Sequence, residues 1–156
     1  MSTQTVRSTA RPGAVSAWRG VLEVYGDLIA ELGRLLQARH GLSVTEFDVL
    51  INLGPTEPCR HRELAGRVVL SGSALTRLVD RLIGRGYLTR SPAHGDDRGV
   101  LIALTDAGRA VRREAARTNS AAVRRAFAGL DRDELATLTA LLGRVGVRPE
   151  ERNPDE

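Results

Sequence analysis

The sequence contains no lysine. All 23 of its basic residues are arginine, against 19 acids, for a formal net charge of +4. Nucleotide bias is the plain explanation for arginine throughout, so where the arginines fall is more informative than how many there are. A single cysteine, Cys59, excludes an internal disulfide framework and a cysteine-built zinc site. The three histidines, His40, His61 and His94, stand nowhere three or four residues apart, so no helical pair is available to a metal ion and none is expected. No apolar run approaches the roughly 20 residues that cross a bilayer, and the opening MSTQTVRSTARPG has no apolar stretch behind its arginines to act as a secretory signal. A cytoplasmic protein without a membrane partner is expected. Missing too are a nucleophile with its base, a glycine-rich phosphate loop after a strand and a metal-ligating cluster. No enzyme is therefore expected, and no catalytic residue or cofactor.

At 156 residues, with 42% apolar and 27% charged, the chain is the size of one ordinary domain. Its charge is unevenly placed. From Cys59 to Gly99 eight arginines (Arg60, Arg62, Arg67, Arg77, Arg81, Arg85, Arg90 and Arg98) face four acids, Glu63, Asp80, Asp96 and Asp97, which puts +4 on that stretch alone. The last eight residues hold four acids and one arginine. A basic middle in an otherwise near-neutral chain is the pattern of a phosphate-binding face.

Residues 1–11 are polar and aperiodic and are expected to form a disordered arm. From Val15, apolar residues recur in steps of three and four (Val15, Trp18, Leu22, Tyr25, Ile29, Leu32, Leu36), a stripe along a helix of about 25 residues ending near Gly41. Ser43 with Glu46 makes a capping box and Leu42 with Phe47 a hydrophobic staple for a second helix, which stops at Gly54-Pro55. A short helix follows around His61 to Arg67, with Leu64, Ala65 and Val68 inward. Ser71 caps another, whose inner side is Leu75, Leu78, Val79, Leu82 and Ile83 and whose end is Gly86, where glycine takes the left-handed cap. The period then drops to two: Tyr87 to Arg90 and Val100 to Leu104 read as a two-stranded hairpin with its tip at Pro92 to Gly99. Thr105 caps a second long helix, about Asp106 to Ala128. Asp131 with Glu134 repeats the box, Leu130 with Leu135 the staple, and Leu135, Leu138 and Leu142 the stripe.

This order describes a mainly α chain with a small β wing: a winged helix-turn-helix over about 42–104, flanked by long helices over about 14–40 and 105–145. All of it is expected in one domain over 12–145, followed by a flexible tail over 146–156. The flanking stripes exceed what the winged unit can cover. They are expected to pack against each other and against a second copy, with Val15, Trp18, Leu22, Leu130, Leu135, Leu138 and Leu142 at the interface of a homodimer.

With Leu75, Leu78 and Leu82 inward, Ser73, Ala74, Thr76 and Arg77 fall on the outer side of the two turns that follow Ser71. Small side chains let the backbone approach a duplex, Thr76 can touch a phosphate or a thymine methyl, and Arg77 can bond guanine bidentately, so double-stranded DNA is the expected partner. Arg98 at the hairpin tip is long enough to enter the minor groove, and Asp96 can pair with an arginine and hold the loop. Arg60, His61, Arg81 and Arg90 complete the expected DNA-facing set. Trp18, Arg19, Tyr25, His40 and Asp48 lie on helices that would border a cleft beside the winged unit. They are the candidates for a small-molecule effector, an arginine meeting an anion and aromatics stacking on a ring; Trp18 and Tyr25 suit plain interface core as well.

Five segments, Glu63-Leu64-Ala65, SGSALTRLVDRL from Ser71 to Leu82, Gly86-Tyr87-Leu88, Asp96-x-Arg98 and Leu104-Thr105-Asp106-Ala107-Gly108, together resemble the MarR (multiple antibiotic resistance regulator) family of dimeric bacterial transcription factors, over about Val15 to Leu142. The resemblance implies a homodimer joined by its terminal helices, two wings on an inverted-repeat operator, and a cleft where a small aromatic or phenolic anion loosens DNA binding. It assigns base and phosphate contacts to Ser71, Ser73, Thr76 and Arg77, the minor groove to Arg98, and wing bracing to Asp96. The chain departs from the family at Arg60, which stands where a Ser or Thr cap is usual. Gly20, Gly26 and Gly33 each weaken the first helix by roughly 1 kcal/mol relative to alanine. The expected function is a homodimeric repressor released by an effector. Two alternatives stay open: a winged-helix module for DNA architecture or protein contact without an effector, and thiol-based redox sensing through Cys59, expected in a loop ahead of the third helix.

Overall fold

The computed structural model describes residues 13–92 and 99–146. The arm over 1–11, the tail beyond Gly146, and the wing-tip residues Asp96 and Arg98 lie outside the described residues. Helix α1 (Ala14–His40) leads to α2 (Val44–Asn52), strand β1 (Cys59–Arg60), α3 (His61–Ala65), α4 (Gly72–Gly84), β2 (Leu88–Pro92), β3 (Val100–Leu104), α5 (Asp106–Ala126) and α6 (Arg132–Leu142). The described residues fall into two compact units that divide between Val123 and Arg124.

In the first unit, local chemistry sets the helix ends. Ser43 Oγ accepts the Glu46 N–H at 3.1 Å and Glu46 Oε2 accepts the Ser43 N–H at 2.8 Å, both halves of the capping box. Helix α1 stops where Gly41 turns left-handed at φ 62°, and α4 where Gly86 does so at φ 75°. Behind α4, Gly86 N–H returns to the Ile83 carbonyl at 2.8 Å and Tyr87 N–H to that of Leu82 at 3.0 Å, the paired bonds of a Schellman stop. Helix α2 has no basic residue in its own last turn. Its C-terminal carbonyls are met from elsewhere: Arg112 donates to Leu50 O at 3.1 Å and Ile51 O at 3.5 Å, and Arg67 to Asn52 O at 3.3 Å.

The core joins the C-terminal half of α1 to α2, α3, α4 and the sheet. Leu36, Leu42, Leu50, Leu64, Leu75, Val79, Leu82 and Ile102 are all fully buried within it, each contributing about 2 kcal/mol relative to exposure. The apolar stripe of α1 divides. Leu32 and Leu36 are buried, whereas Val15, Trp18, Leu22 and Tyr25 are exposed at 75, 59, 47 and 63%.

The wing differs from the expected two-stranded hairpin. The sheet has three antiparallel strands in the order β1-β3-β2, with Cys59 opposite Ile102 and Arg60 opposite Leu101 on one side of β3, and Leu88 to Pro92 opposite Leu104 to Val100 on the other. Cys59 is thus in a strand and not in a loop. Two residues are too short to carry a period of two, so only the free edge of β3 reveals the third strand. That strand matters because a lone hairpin is marginal in water.

Strand β3 passes into α5 at a tight joint. Thr105 N–H donates to Tyr87 O at 3.0 Å, the Thr105 hydroxyl donates to Gly86 O at 2.6 Å, and its oxygen accepts the Gly108 N–H at 3.0 Å as the helix cap. Gly108 is buried against the Tyr87 carbonyl, and a Cβ there would run into that oxygen. Farther along α5, Thr118 Oγ1 is bonded to His40 Nε2 of α1 at 2.8 Å.

In the second unit, Asp131 Oδ1 accepts the N–H groups of Asp133 and Glu134, both at 2.9 Å, and Glu134 Oε2 accepts the Asp131 N–H at 2.9 Å. No residue of α6 is buried, and Leu130, Leu135, Leu141 and Leu142 are exposed. Among the described residues no helix is long and apolar enough to cross a membrane.

Two glycine substitutions test this account. Gly108→Ala is expected to lose about 3 kcal/mol in urea denaturation, because backbone has to move to admit the methyl. Gly84→Ala, in α4 with nothing within 4 Å of the new carbon, is expected to gain about 0.5–1 kcal/mol.

Candidate nucleic-acid interface

Helix α4 buries Leu75, Leu78, Val79 and Leu82 and turns Ser71, Ser73, Thr76, Arg77, Asp80 and Arg81 outward, with Ala74 half-buried. The face follows from the spacing, since residues three and four apart share one side of a helix. Ser71 Oγ accepts the Ala74 N–H at 3.3 Å and lies 3.4 Å from Ser73 Oγ. Thr76 Oγ1 donates to Gly72 O at 3.0 Å and lies 3.4 Å from His61 Nε2.

Two recesses flank this face. A cleft of about 570 Å³ is lined by Arg60, His61, Arg62, Thr76, Arg90, Gly99 and Val100, so the start of α3, the face of α4 and the root of the wing converge on it. Four residues singled out from sequence meet there: Arg60, His61, Thr76 and Arg90. Arg62 was passed over, although the run Arg60-His61-Arg62 at a helix start carried the signal. On the opposite flank a smaller recess of about 200 Å³ gathers Ala74, Arg77 and Arg81 with Thr45, Leu70 and Leu78.

Most cations around α4 already have acidic partners. Arg90 Nη2 is 2.8 Å from Asp80 Oδ1, joining the wing to the helix. The Glu46 carboxylate, 5% exposed, lies 3.4 Å from Arg85 Nη1 and 3.9 Å from Arg81 Nη1, while Arg85 also donates to Gly41 O at 3.0 Å. A buried carboxylate needs such partners. The capping box at Glu46 was legible in the sequence, but these ion pairs were not. Among the described residues Arg77 makes no hydrogen bond or ion pair, whereas Arg81, the other cation of α4, lies near Glu46. Arg60 is the N-cap residue of α3 without a side-chain cap bond, as its departure from Ser or Thr requires.

The effector candidates do not converge within one chain. Trp18, Arg19 and Tyr25 lie on the exposed half of α1. His40 is at the other end of that helix, bonded to Thr118, and Asp48 on α2 accepts from Asn52 Nδ2 at 3.1 Å. Trp18 and His40 are about six helical turns apart, roughly 33 Å. The sequence reading grouped them because their helices would border a cleft, and the length of α1 separates the two ends of that group within one chain.

Cys59 is 5% exposed, its Sγ 3.5 Å from Arg60 O and 3.8 Å from Glu63 Oε2. Burial pushes its thiol up, with Glu63 adding to the effect and Arg67 opposing it. The reactive form is the thiolate, so Cys59 sits as a small core side chain. Among the described residues no group of His, Cys, Asp or Glu is assembled to hold a metal ion.

An outward helix of small and basic side chains, a short helix ahead of it and a three-stranded sheet whose hairpin root flanks both define a winged helix-turn-helix. The MarR family model matches residues 42–100. The regulator YkoM of Bacillus subtilis is 32% identical over 108 residues, covering 69% of this chain and 70% of YkoM. Among solved structures, a MarR family regulator from Streptomyces coelicolor in complex with DNA is 30% identical, with a TM-score of 0.76 over 92% of this chain and 98% of that one. A variant of MarR from Escherichia coli complexed with operator DNA is 27% identical, with a TM-score of 0.73 over 83% of this chain and 93% of that one. The chain belongs to the MarR family, whose members are transcriptional regulators and not enzymes.

Iodoacetamide at pH 7.5 is expected to leave Cys59 unmodified in the native protein over the time in which the urea-unfolded chain is fully alkylated, as read by mass spectrometry. Equal labelling of both would show an accessible thiolate and restore the redox reading.

Proposed function

We propose that the protein is a homodimeric repressor that sets helix α4 into the major groove of each half of an inverted-repeat operator, and that a small aromatic anion releases it. The observation that carries this reading is the outward face of α4, where Arg77 has no ion-pair partner among the described residues, beside the arginine-lined cleft at the wing root. Two copies related by a twofold axis would meet half-sites one DNA turn apart, about 34 Å. The exposed apolar side chains of α1 and α6 support the dimer, since a monomer leaves them in water. Trp18, Arg19 and Tyr25, all exposed along α1, support the effector: a guanidinium and two aromatic rings suit a carboxylate carried on a ring.

Selecting bound fragments from the native genome supplies the operator, and fluorescence anisotropy on that duplex tests the rest. Log affinity is expected to fall linearly with log salt. Arg77→Ala should lose about 1–3 kcal/mol and relax the choice of base at one position. Arg98→Ala is expected to weaken all sequences alike and to reduce the salt slope by about one. Benzoate and salicylate are the probes for release. A flat salt response, or a protein that remains monomeric when bound, contradicts the reading.

A further inference from the structure

We propose that Asp80 is a positioning residue for DNA recognition, holding the Arg90 guanidinium against helix α4 so that helix and wing meet a duplex in one fixed geometry. The proposal rests on the DNA-binding reading above. At its backbone, Arg90 is opposite Ile102, the β3 residue that also pairs with Cys59 of β1, so it is anchored in the middle of the sheet. Its side chain crosses to α4, where Nη2 meets Asp80 Oδ1 at 2.8 Å. Asp80 is one turn beyond Thr76 on the outward face, and Thr76 lines the same cleft as Arg90.

An acid on that face needs a reason. It repels a polyanion, and its pair with Arg90 is exposed on both sides, 54% for Asp80 and 39% for Arg90, where ion pairs add little to stability. What the carboxylate does accomplish is geometric. It removes rotamer freedom from a long side chain before DNA arrives, and it pins a wing residue to the helix that reads bases. Held this way, Arg90 offers its charge at one place, to a duplex whose phosphates fit when α4 is in register. Released, it can meet any phosphate within reach, which favours all sequences equally. Asp80 therefore lowers general affinity and raises discrimination.

The test compares the full-length wild type with Asp80→Asn, Asp80→Glu, Arg90→Gln and the Asp80→Asn/Arg90→Gln double variant. Each is titrated against the genome-selected duplex and against a scrambled duplex of equal composition at several salt concentrations. Asp80→Asn is expected to reduce the ratio of selected to scrambled affinity about tenfold. Scrambled DNA should bind as tightly or more tightly, with a salt slope steeper by about one. Asp80→Glu should keep the wild-type ratio, and in the Arg90→Gln background Asp80→Asn should change it less than about twofold. A wild-type ratio in Asp80→Asn, or an equal loss with Arg90 already removed, overturns the proposal. So does a melting temperature lowered by more than about 10 °C, which would place the pair's role in the fold. If the wild type prefers no duplex at all, the DNA reading fails and takes this proposal with it. A wild type that does discriminate, beside an Asp80→Asn variant that discriminates equally, removes this proposal alone.

Discussion

Three separate demands meet at the Tyr87 carbonyl: it accepts the Thr105 N–H, lies within 3.2 Å of the Thr105 hydroxyl, and has the bare α-carbon of Gly108 against it. One residue earlier Gly86 has reversed the chain out of α4, and one residue later β2 begins. The exit from α4, the root of the wing and the first turn of α5 are therefore fixed by a single backbone oxygen. Thr105 and Gly108 belong together for this reason. The threonine caps α5 and bonds the carbonyl side of the joint, and the glycine lets the helix come close enough for both.

Arginine performs two kinds of work in this chain, and the structure separates them. Arg112 and Arg67 satisfy the last carbonyls of α2 from two other parts of the first unit, and Arg85 spans Gly41 and Glu46 while lying 4.9 Å from the Tyr87 ring centre. A planar fork with several N–H donors can serve two acceptors at once, which a lysine ammonium does less directionally. Those arginines hold elements in place. Arg60, Arg62 and Arg90 line the open cleft, and Arg77 stands on the other flank of α4. The total of 23 does not distinguish the two sets; position relative to helix ends and acids does.

Sequence reasoning succeeded where the chemistry is local. The boxes at Ser43 and Asp131, the cap at Ser71, the left-handed Gly86, the end of α1 near Gly41 and the Thr105 start are each specified within a few residues, and each is present. It fell short where two distant segments must meet. Strand β1 exists only because β3 has a free edge, and Glu46 reveals its ion pairs only once α4 lies beside α2. For the site, the outward face of α4 was legible from periodicity, and Arg60, His61, Thr76 and Arg90 do surround one cleft. Arg62 was missed although Arg60 and His61 beside it were not, because the run alone leaves open which of its side chains turn toward α4 and the wing. The effector candidates were chosen for lying on helices that would border a cleft, and within one chain Trp18, Arg19 and Tyr25 lie along the exposed part of α1 while His40 is at its far end and Asp48 on α2.

Arg60 closes β1 and is at the same time the N-cap residue of α3. No linker intervenes between the sheet and the first helix of the motif, just as only Arg85, Gly86 and Tyr87 separate α4 from β2. A hinge spreads its change of backbone angle over a few residues, and both junctions are short. Strand β1 with α3, and α4 with β2, are in that sense cast together, with no residue between the first pair and three between the second. In the homodimer proposed above, two such pieces would face one duplex, and the quantity left to adjust would be the distance between them.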